Sequence, residues 1–562
     1  MNYEQMANNF VDNDKQFHLG FLPTEQSSPL TRLLDKTFES SAVEGVRLLQ
    51  KVDWNVLEMA EKIFACASFN GLVVAGVTAL RKGRKIVFSG CGATGRLSIL
   101  LESMWRRYFL EHPGIMAEQY GESVFSIMTG GDYALIRSVE FFEDYQEFGR
   151  QQVRELGMGL GDVLVAITEG GETSSVLGTV DEAARRGAKV FLLFNNPENL
   201  LREKLERCRK AIENPAVTVL DLYCGPMALA GSTRMQATTS EQLVAGAALE
   251  EILRQIMENG TPPSDFSSEF KKLLVQLAAP EAVEALAKHI EFESEVYSAG
   301  GLVTYFADEF LLDIFTDTTE RSPTFMLPPF RKSDDNVSPQ SWAFVKNPLC
   351  PTPEAWKRCF SRDTRCLEWT CAEYARMGAG DRFSEAPPKL DHAELMKFII
   401  GNEDIPSRHQ GPEDAAVLVG SGIEKEFELH ASSYRRRSCL PLPFQTKSSP
   451  LRLLEHLGMK LVLNTVSTGT MVKMGRVSGN WMSYVDVSNK KLLDRGTRLV
   501  SELCGLEYHT ACIELFKSIE EFKSFPEGDS RPSPVQHTLR RVNGKIKIPG
   551  QSVGLKNGRD CG

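Results

Sequence analysis

The sequence predicts an α/β protein of two doubly wound units, each a five-stranded parallel sheet flanked by helices, with a helical C-terminal cap. Three observations carry that prediction. From residue 84 onward, short apolar runs alternate with amphipathic stretches, the pattern of βαβ units on a parallel sheet. Gly-containing turns follow the apolar runs, where strand must give way to helix. A fainter copy of the alternation returns after residue 295 and reads as a degenerate repeat of the first unit. A chain of 562 residues has room for about three to five domains of ordinary size.

Residues 1–42 read as a polar, turn-rich N-terminal arm. The first unit spans 43–265, opening with helical patterning in ESSAVEGVRLLQKV and NVLEMAEKIFACASFNGLVVAGVTALRKG. Its strands are expected at 84–90, 123–130, 162–168, 189–195 and 217–223, with helices at 94–112 and 174–187 between them. A long helix at 238–258 and the turn-forming linker NGTPPSD (259–265) close it. The second unit spans 266–485, with a helix at 267–292 and strands at 295–300 and 415–422. Its Pro-, Cys- and Trp-rich stretch at 322–372 has no readable pattern. Residues 486–525 read as the helical cap, and 526–562 as a basic tail expected to be poorly ordered.

Composition narrows the function. A net charge of −10 does not favour nucleic acid. No apolar run approaches the ~18 residues that would span a bilayer, and the start MNYEQMANNFVDNDKQ lacks a signal-peptide pattern, so a cytoplasmic protein without a membrane partner is expected. The twelve cysteines include no Cys-x-x-Cys and the nine histidines no His-x-x-x-His. Free thiols, with no metal and no cofactor, are the expectation.

Three turns carry candidate chemistry. Gly90-Cys91-Gly92-Ala93-Thr94-Gly95 lies between a strand and a helix, where glycines allow a tight turn and the helix start offers N–H groups to an anion. Formally this is G-x-G-x-x-G, which would make the chain a nucleotide-binding dehydrogenase holding NAD. That site also needs an acid about twenty residues on. The next strand closes later, on Thr129-Gly130-Gly131-Asp132, a poor register. A phosphate site using Gly92, Thr94 and Gly95, or a bare tight turn, are the other readings. In Thr168-Glu169-Gly170-Gly171-Glu172-Thr173-Ser174-Ser175, the hydroxyls of Thr173, Ser174 and Ser175 bind phosphate or merely cap the helix, at even odds. Glu169 and Glu172 would repel an anion unless they face away. In Gly231-Ser232-Thr233-Arg234-Met235, the Ser232 and Thr233 hydroxyls and the Arg234 guanidinium form an oxyanion clamp. Three such turns at one end of a sheet share one crevice, suited to a small phosphorylated, hydroxyl-rich ligand.

GCGATGRL, TGGDYA, GSTRM and KLVLNTVSTGTMVKMGRVSGNWM resemble the sugar isomerase (SIS) superfamily. Within it they resemble the branch uniting N-acetylmuramic acid 6-phosphate etherases with the glucokinase regulatory protein. The resemblance covers about 27–258 and 455–500. It implies two SIS domains. Etherases of this family use one glutamate as acid and one as base. The resemblance places the acid at Met104, while Glu102 lies two residues earlier and about 200° round the helix. It places the base at Glu143, in Glu140-Phe141-Phe142-Glu143-Asp144. A missing proton-transfer group costs about 10² to 10⁴ in rate, which implies binding over catalysis. The lysine positions after GSTRM read Gln236 and Gln242, whereas the second half keeps Lys460-Leu461-Val462-Leu463-Asn464. The halves therefore resemble divided duplicates preserving one site, with Lys460 adding a point charge to the phosphate.

The resulting expectation is a regulatory or sensor protein that binds a phosphorylated sugar or amino sugar. Thr94, Thr173, Ser174, Ser175, Ser232, Thr233, Arg234 and Lys460 would hold the phosphate, and Glu143 would accept from sugar hydroxyls. By resemblance its partner is a sugar kinase or another protein. The alternative is a sugar-phosphate lyase or isomerase with Glu143 as base and an acid that the sequence does not identify; Glu169 or Glu172 could serve should either point inward.

Overall fold

Among the described residues nine strands form two parallel sheets. The structure is a computed structural model and describes residues 2–257, 262–380, 383, 385–487, 489–522 and 533–544. The first sheet holds β1 (Ile86–Gly90), β2 (Val124–Met128), β3 (Val163–Ile167), β4 (Lys189–Phe194) and β5 (Val217–Asp221), in the order β2-β1-β3-β4-β5. The second holds β6 (Val303–Phe306), β7 (Ala343–Lys346), β8 (Ala415–Leu418) and β9 (Arg436–Cys439), in the order β7-β6-β8-β9. This is the winding of the first sheet's first four strands, so the second unit carries four strands where five were expected.

Both faces of the first sheet are covered, as continuous apolar runs require. In β3, Val163, Val165 and Ile167 join the main core, while Leu164 and Ala166 join a second cluster on the opposite face. In β4, Phe191 and Leu193 face the main core, and Val190, Leu192 and Phe194 the other. The helices used below are α1 (Tyr3–Asn13), α2 (Ala67–Arg81), α3 (Ala93–Glu111), α4 (Gln146–Glu155), α5 (Ser174–Arg185), α6 (Gln236–Met257), α7 (Leu311–Phe325), α8 (Leu453–Lys473), α9 (Lys490–Cys504), α10 (Tyr508–Phe522) and α11 (Pro534–Asn543). α2 packs on α6 and α4 on α5, one pair serving each cluster. α8, from the second unit, packs against both α6 and α7 and so joins the halves.

Four expectations need correction. Residues 295–300 are not a strand: 295–298 complete the helix Pro280–Ser298, and Val296 and Tyr297 are buried on its inner face. The helix expected over 267–292 is two, Phe266–Leu277 and the one that Pro280 starts at its first position. The N-terminal arm contains α1, whose capping box closes on Asn2 and Gln5 and which packs on α10. The tail is not uniformly irregular, since 534–543 form α11, packed on α9 and α10. The linker residues 258–261 and the tail residues 526–532 and 545–562 lie outside the described residues. The unread stretch 322–372 supplies the end of α7, β7 and the helix Thr352–Phe360. No single helix among the described residues is long and apolar enough to cross a membrane.

Candidate functional site

Strand order reverses between β1 and β3, and a crevice opens beyond their carboxyl ends at such a point. A cleft of about 1100 Å³ lies there. Its floor is made by the loops after β1 (Cys91, Gly92), β2 (Thr129) and β3 (Glu169, Gly170, Thr173), with Ser232 and Thr233 beside them. The end of α7 and the residues after it, Thr318 to Phe330, form the opposite wall. Glu25 from the N-terminal arm and Lys491 and Arg495 from α9 close the mouth.

The glycine-rich turn after β1 is sterically obligatory. A Cβ on Gly90 would lie 2.3 Å from the Thr94 backbone, and Gly92, at the start of α3, has φ +57°. Thr94 does not reach the cleft: its hydroxyl accepts from Cys91 N–H at 3.0 Å and donates to Cys91 C=O at 2.9 Å, closing the turn on itself. Gly95 packs against Met128 and the Gly90 carbonyl. Asp132, the acid after β2 that a dinucleotide reading would use, is bound by Arg362 at 2.6 and 2.9 Å.

The turn after β3 divides its residues similarly. Thr173 lines the cleft and accepts from Thr168 at 3.1 Å. Ser175 is buried, shares a 2.8 Å hydrogen bond with Thr129, and its N–H donates to the Glu143 carbonyl at 2.9 Å. Ser174 lies outside the cleft lining. Neither α3 nor α5 carries a side-chain N-cap bond; in α5 the Ser175 N–H is taken by the Glu143 carbonyl, whereas the start of α3 keeps first-turn N–H groups for another acceptor among the described residues.

The clamp after β5 is the largest departure. Ser232, Thr233 and Arg234 line the cleft, but the Arg234 guanidinium is buried among Asp317 (2.9 Å), Ser467 (2.8 Å) and Thr468 (2.7 Å) and lies over the Phe325 ring. Lys460 is absent from the cleft. It is buried, donates to Arg234 C=O at 2.6 Å and Asn464 at 3.0 Å, and burial pushes its pKa down to about 8. These two cations clasp α7 and α8 to the first unit.

Three residues, Lys491, Arg495 and Arg137, had no signal in local sequence. Lys491 pairs with Glu172 at 2.8 Å, and Arg495 with Glu25 at 2.7 Å, so α9 reaches the cleft already neutralised. Arg137 lines the cleft half-buried, and its guanidinium makes no hydrogen bond or ion pair among the described residues. Of the carboxylates, Glu143 and Glu169 both line the cleft and both act on the Cys91 thiol, which burial pushes upward. Glu172 is different: burial works against its charge, but Lys491 and Arg207 hold it down to about 2. Met104 is buried in the main core, away from the cleft. Among the described residues no group of three His, Cys, Asp or Glu side chains could share a metal ion.

The glucokinase regulatory protein N-terminal SIS domain family matches residues 71–184, which contain β1 to β3, α3 and nearly all of α5. N-acetylmuramic acid 6-phosphate etherase 1 of Bacillus licheniformis is 28% identical over 40% of this chain and 67% of its own length. This chain belongs to the SIS superfamily, in the etherase and regulatory protein branch. The etherase of Lactococcus lactis subsp. lactis is 27% identical to this SIS protein over 50% of the chain and 88% of its own length. Tagatose-6-phosphate ketose/aldose isomerase of Escherichia coli aligns over 77% of this chain and 95% of its own, at 10% identity and a TM-score of 0.37.

Titration of these buried groups sets a stability window. Burial raises Asp53 and Glu169 to about 7 and Glu241 well above its ordinary value. Folded, each holds its proton longer than unfolded, so its contribution is full below about pH 4 and lost as pH rises, through about 7 for Asp53 and Glu169. Glu25, Glu102, Glu172 and Glu293 are buried yet held near 2 by cations, so theirs is full above pH 4.5 and lost as pH falls toward 2. Thermal stability is therefore expected to peak near pH 5; a Tm still rising at pH 7.5 would contradict these assignments.

Proposed function

We propose that the cleft binds a phosphorylated amino sugar and breaks its C3 ether, the activity for which the etherase relatives are named. The binding rests chiefly on one observation: the start of α3, which has no side-chain cap, opens onto the cleft beside the Thr173, Ser232 and Thr233 hydroxyls. Arg137 adds an uncommitted guanidinium to the same lining. The volume is at the upper end of small-molecule sites and accommodates a hexosamine phosphate with a side arm. Glu143, the base by resemblance, is held against the start of α5 through its backbone carbonyl.

A second reading, a binding protein that reports sugar-phosphate level to a partner such as a sugar kinase, is favoured by Met104. The family's acid position lies in the core and holds no proton to give. A ligand would then act by bridging the first unit, the α7 wall and α9, stabilising the arrangement in which all three meet.

Thermal-shift titration with N-acetylmuramic acid 6-phosphate, glucose 6-phosphate and fructose 6-phosphate, followed by a lactate-release assay, separates the readings. The muramic compound is expected to raise Tm and to release lactate, and Arg137→Ala to weaken binding about 10- to 100-fold. A Tm shift without lactate establishes the second reading. No shift with any of the three overturns both.

A further inference from the structure

We propose that Glu169 is the proton donor to the departing ether oxygen, the role Met104 leaves empty; this assignment rests on the lyase reading above. Glu169 follows β3 directly, at the strand end where the crevice opens, and its carboxyl lines the cleft with Glu143 and Thr233. The Thr233 hydroxyl donates to it at 3.3 Å and its own backbone N–H also donates, and no ion pair involves it among the described residues. Around it stand Glu320 from the α7 wall, Glu241 from α6, Cys91 from the β1 loop and Lys491 from α9. Lys491 is the one cation among them and is committed to Glu172.

Burial, with the Glu320 charge beside it, pushes Glu169 up to about 7, so a large share of the molecules carry its proton at neutral pH. Glu143 lies in the opposite surroundings, near enough to Lys491 and Arg495 to strengthen their hold on a proton. Two carboxyls whose environments differ in this way divide acid and base work between them. Glu172, ion-paired to two cations, has no proton to give.

The step balances with these two groups. In the open-chain sugar the aldehyde acidifies C2–H. Glu143 takes that proton, the C2 electron pair forms the C2=C3 bond, and the C3–O bond breaks. Glu169 delivers its proton to the departing oxygen, and lactate leaves. Water then adds at C3, giving its proton to the Glu169 carboxylate while Glu143 returns a proton to C2. The sum is ether plus water to alcohol plus lactate.

The test uses the full chain, N-acetylmuramic acid 6-phosphate and D₂O, with three readouts: Tm shift, lactate release and deuterium at C2. Glu169→Gln is expected to keep the Tm shift and C2 exchange but to lose lactate release about 10²- to 10⁴-fold. In the wild type lactate release falls as pH rises through about 7, and Glu169→Gln lacks that limb. Glu143→Gln is expected to lose both exchange and release. Lactate release by Glu169→Gln at the wild-type rate overturns the assignment while leaving the lyase reading intact. Exchange and release lost together in Glu169→Gln also overturns it, since the residue would then only position the ligand. A wild type that binds but neither exchanges nor releases overturns the lyase reading itself, and the proton-donor role with it.

Discussion

Replacing Glu102 by alanine is expected to cost about 3–5 kcal/mol of stability, the cost of breaking a buried charge network on one side. Glu102 is fully buried on α3 and accepts from Arg106 at 2.7 Å and from Ser126 at 3.0 Å (N–H) and 2.7 Å (Oγ). Arg362 lies 3.2 Å away and Arg365 donates to the same carboxylate. Burial opposes the charge, but the three arginines hold the pKa down to about 2. Removing the carboxylate strands three guanidinium groups in a buried place; Asp132 still compensates Arg362, which keeps the loss from being larger. Glu102→Gln retains the shape and isolates the charge. Urea unfolding of both variants checks this, and a loss under about 1 kcal/mol would mean that water reaches the knot.

Gly149→Val is expected to destabilise the chain by about 3 kcal/mol or more and to abolish sugar-phosphate binding along with it. A Cβ at residue 149 would sit 1.9 Å from the Ser175 carbonyl oxygen, and one at Gly178 would sit 2.0 Å from the Gln146 carbonyl oxygen. α4 and α5 thus meet backbone to backbone, and neither contact can give way by turning a side chain. The Ser175 N–H carries the Glu143 carbonyl, so separating the helices moves Glu143 out of the cleft. Gly159→Ala, where an added Cβ meets nothing within 4 Å, is the control expected to leave both Tm and binding unchanged.

The first sheet was readable because its five strands are local: each is an apolar run of five or six residues bounded by turn chemistry. Of the second sheet's four-residue strands, β8 alone was legible, inside the expected 415–422; four residues are too few to show a period, and β9 reads Arg436-Arg437-Ser438-Cys439, an edge strand with no apolar run at all. Val296 and Tyr297 mimicked a strand because two buried residues on a helix look like two on a sheet. The turns around the cleft were legible through their glycines, whose constraint is local. Arg234, at the cleft, and Lys460, outside its lining, have side chains that answer to distant groups: Asp317 is 83 positions from Arg234, and the Arg234 carbonyl is 226 positions from Lys460. A cation beside a glycine turn signals an anion only when no carboxylate elsewhere in the chain has claimed it. Arg137 is the converse, a cation with no motif around it.

Glu25 lies at one end of the chain and its partners Arg495 and Arg498 at the other, yet both sides help to enclose the cleft. During synthesis the last strand of the first sheet, ending at Asp221, leaves the ribosome roughly 15 to 55 s before Arg495 does. Over that interval the nascent first sheet can assemble while its crevice stands open and the arm carrying Glu25 has nothing to bind. A metabolite pool cannot assist the early stages of maturation, because no complete pocket exists to capture it. Its help begins only when the final helices arrive, so excess phosphosugar should raise the yield of finished chains without hastening the first half.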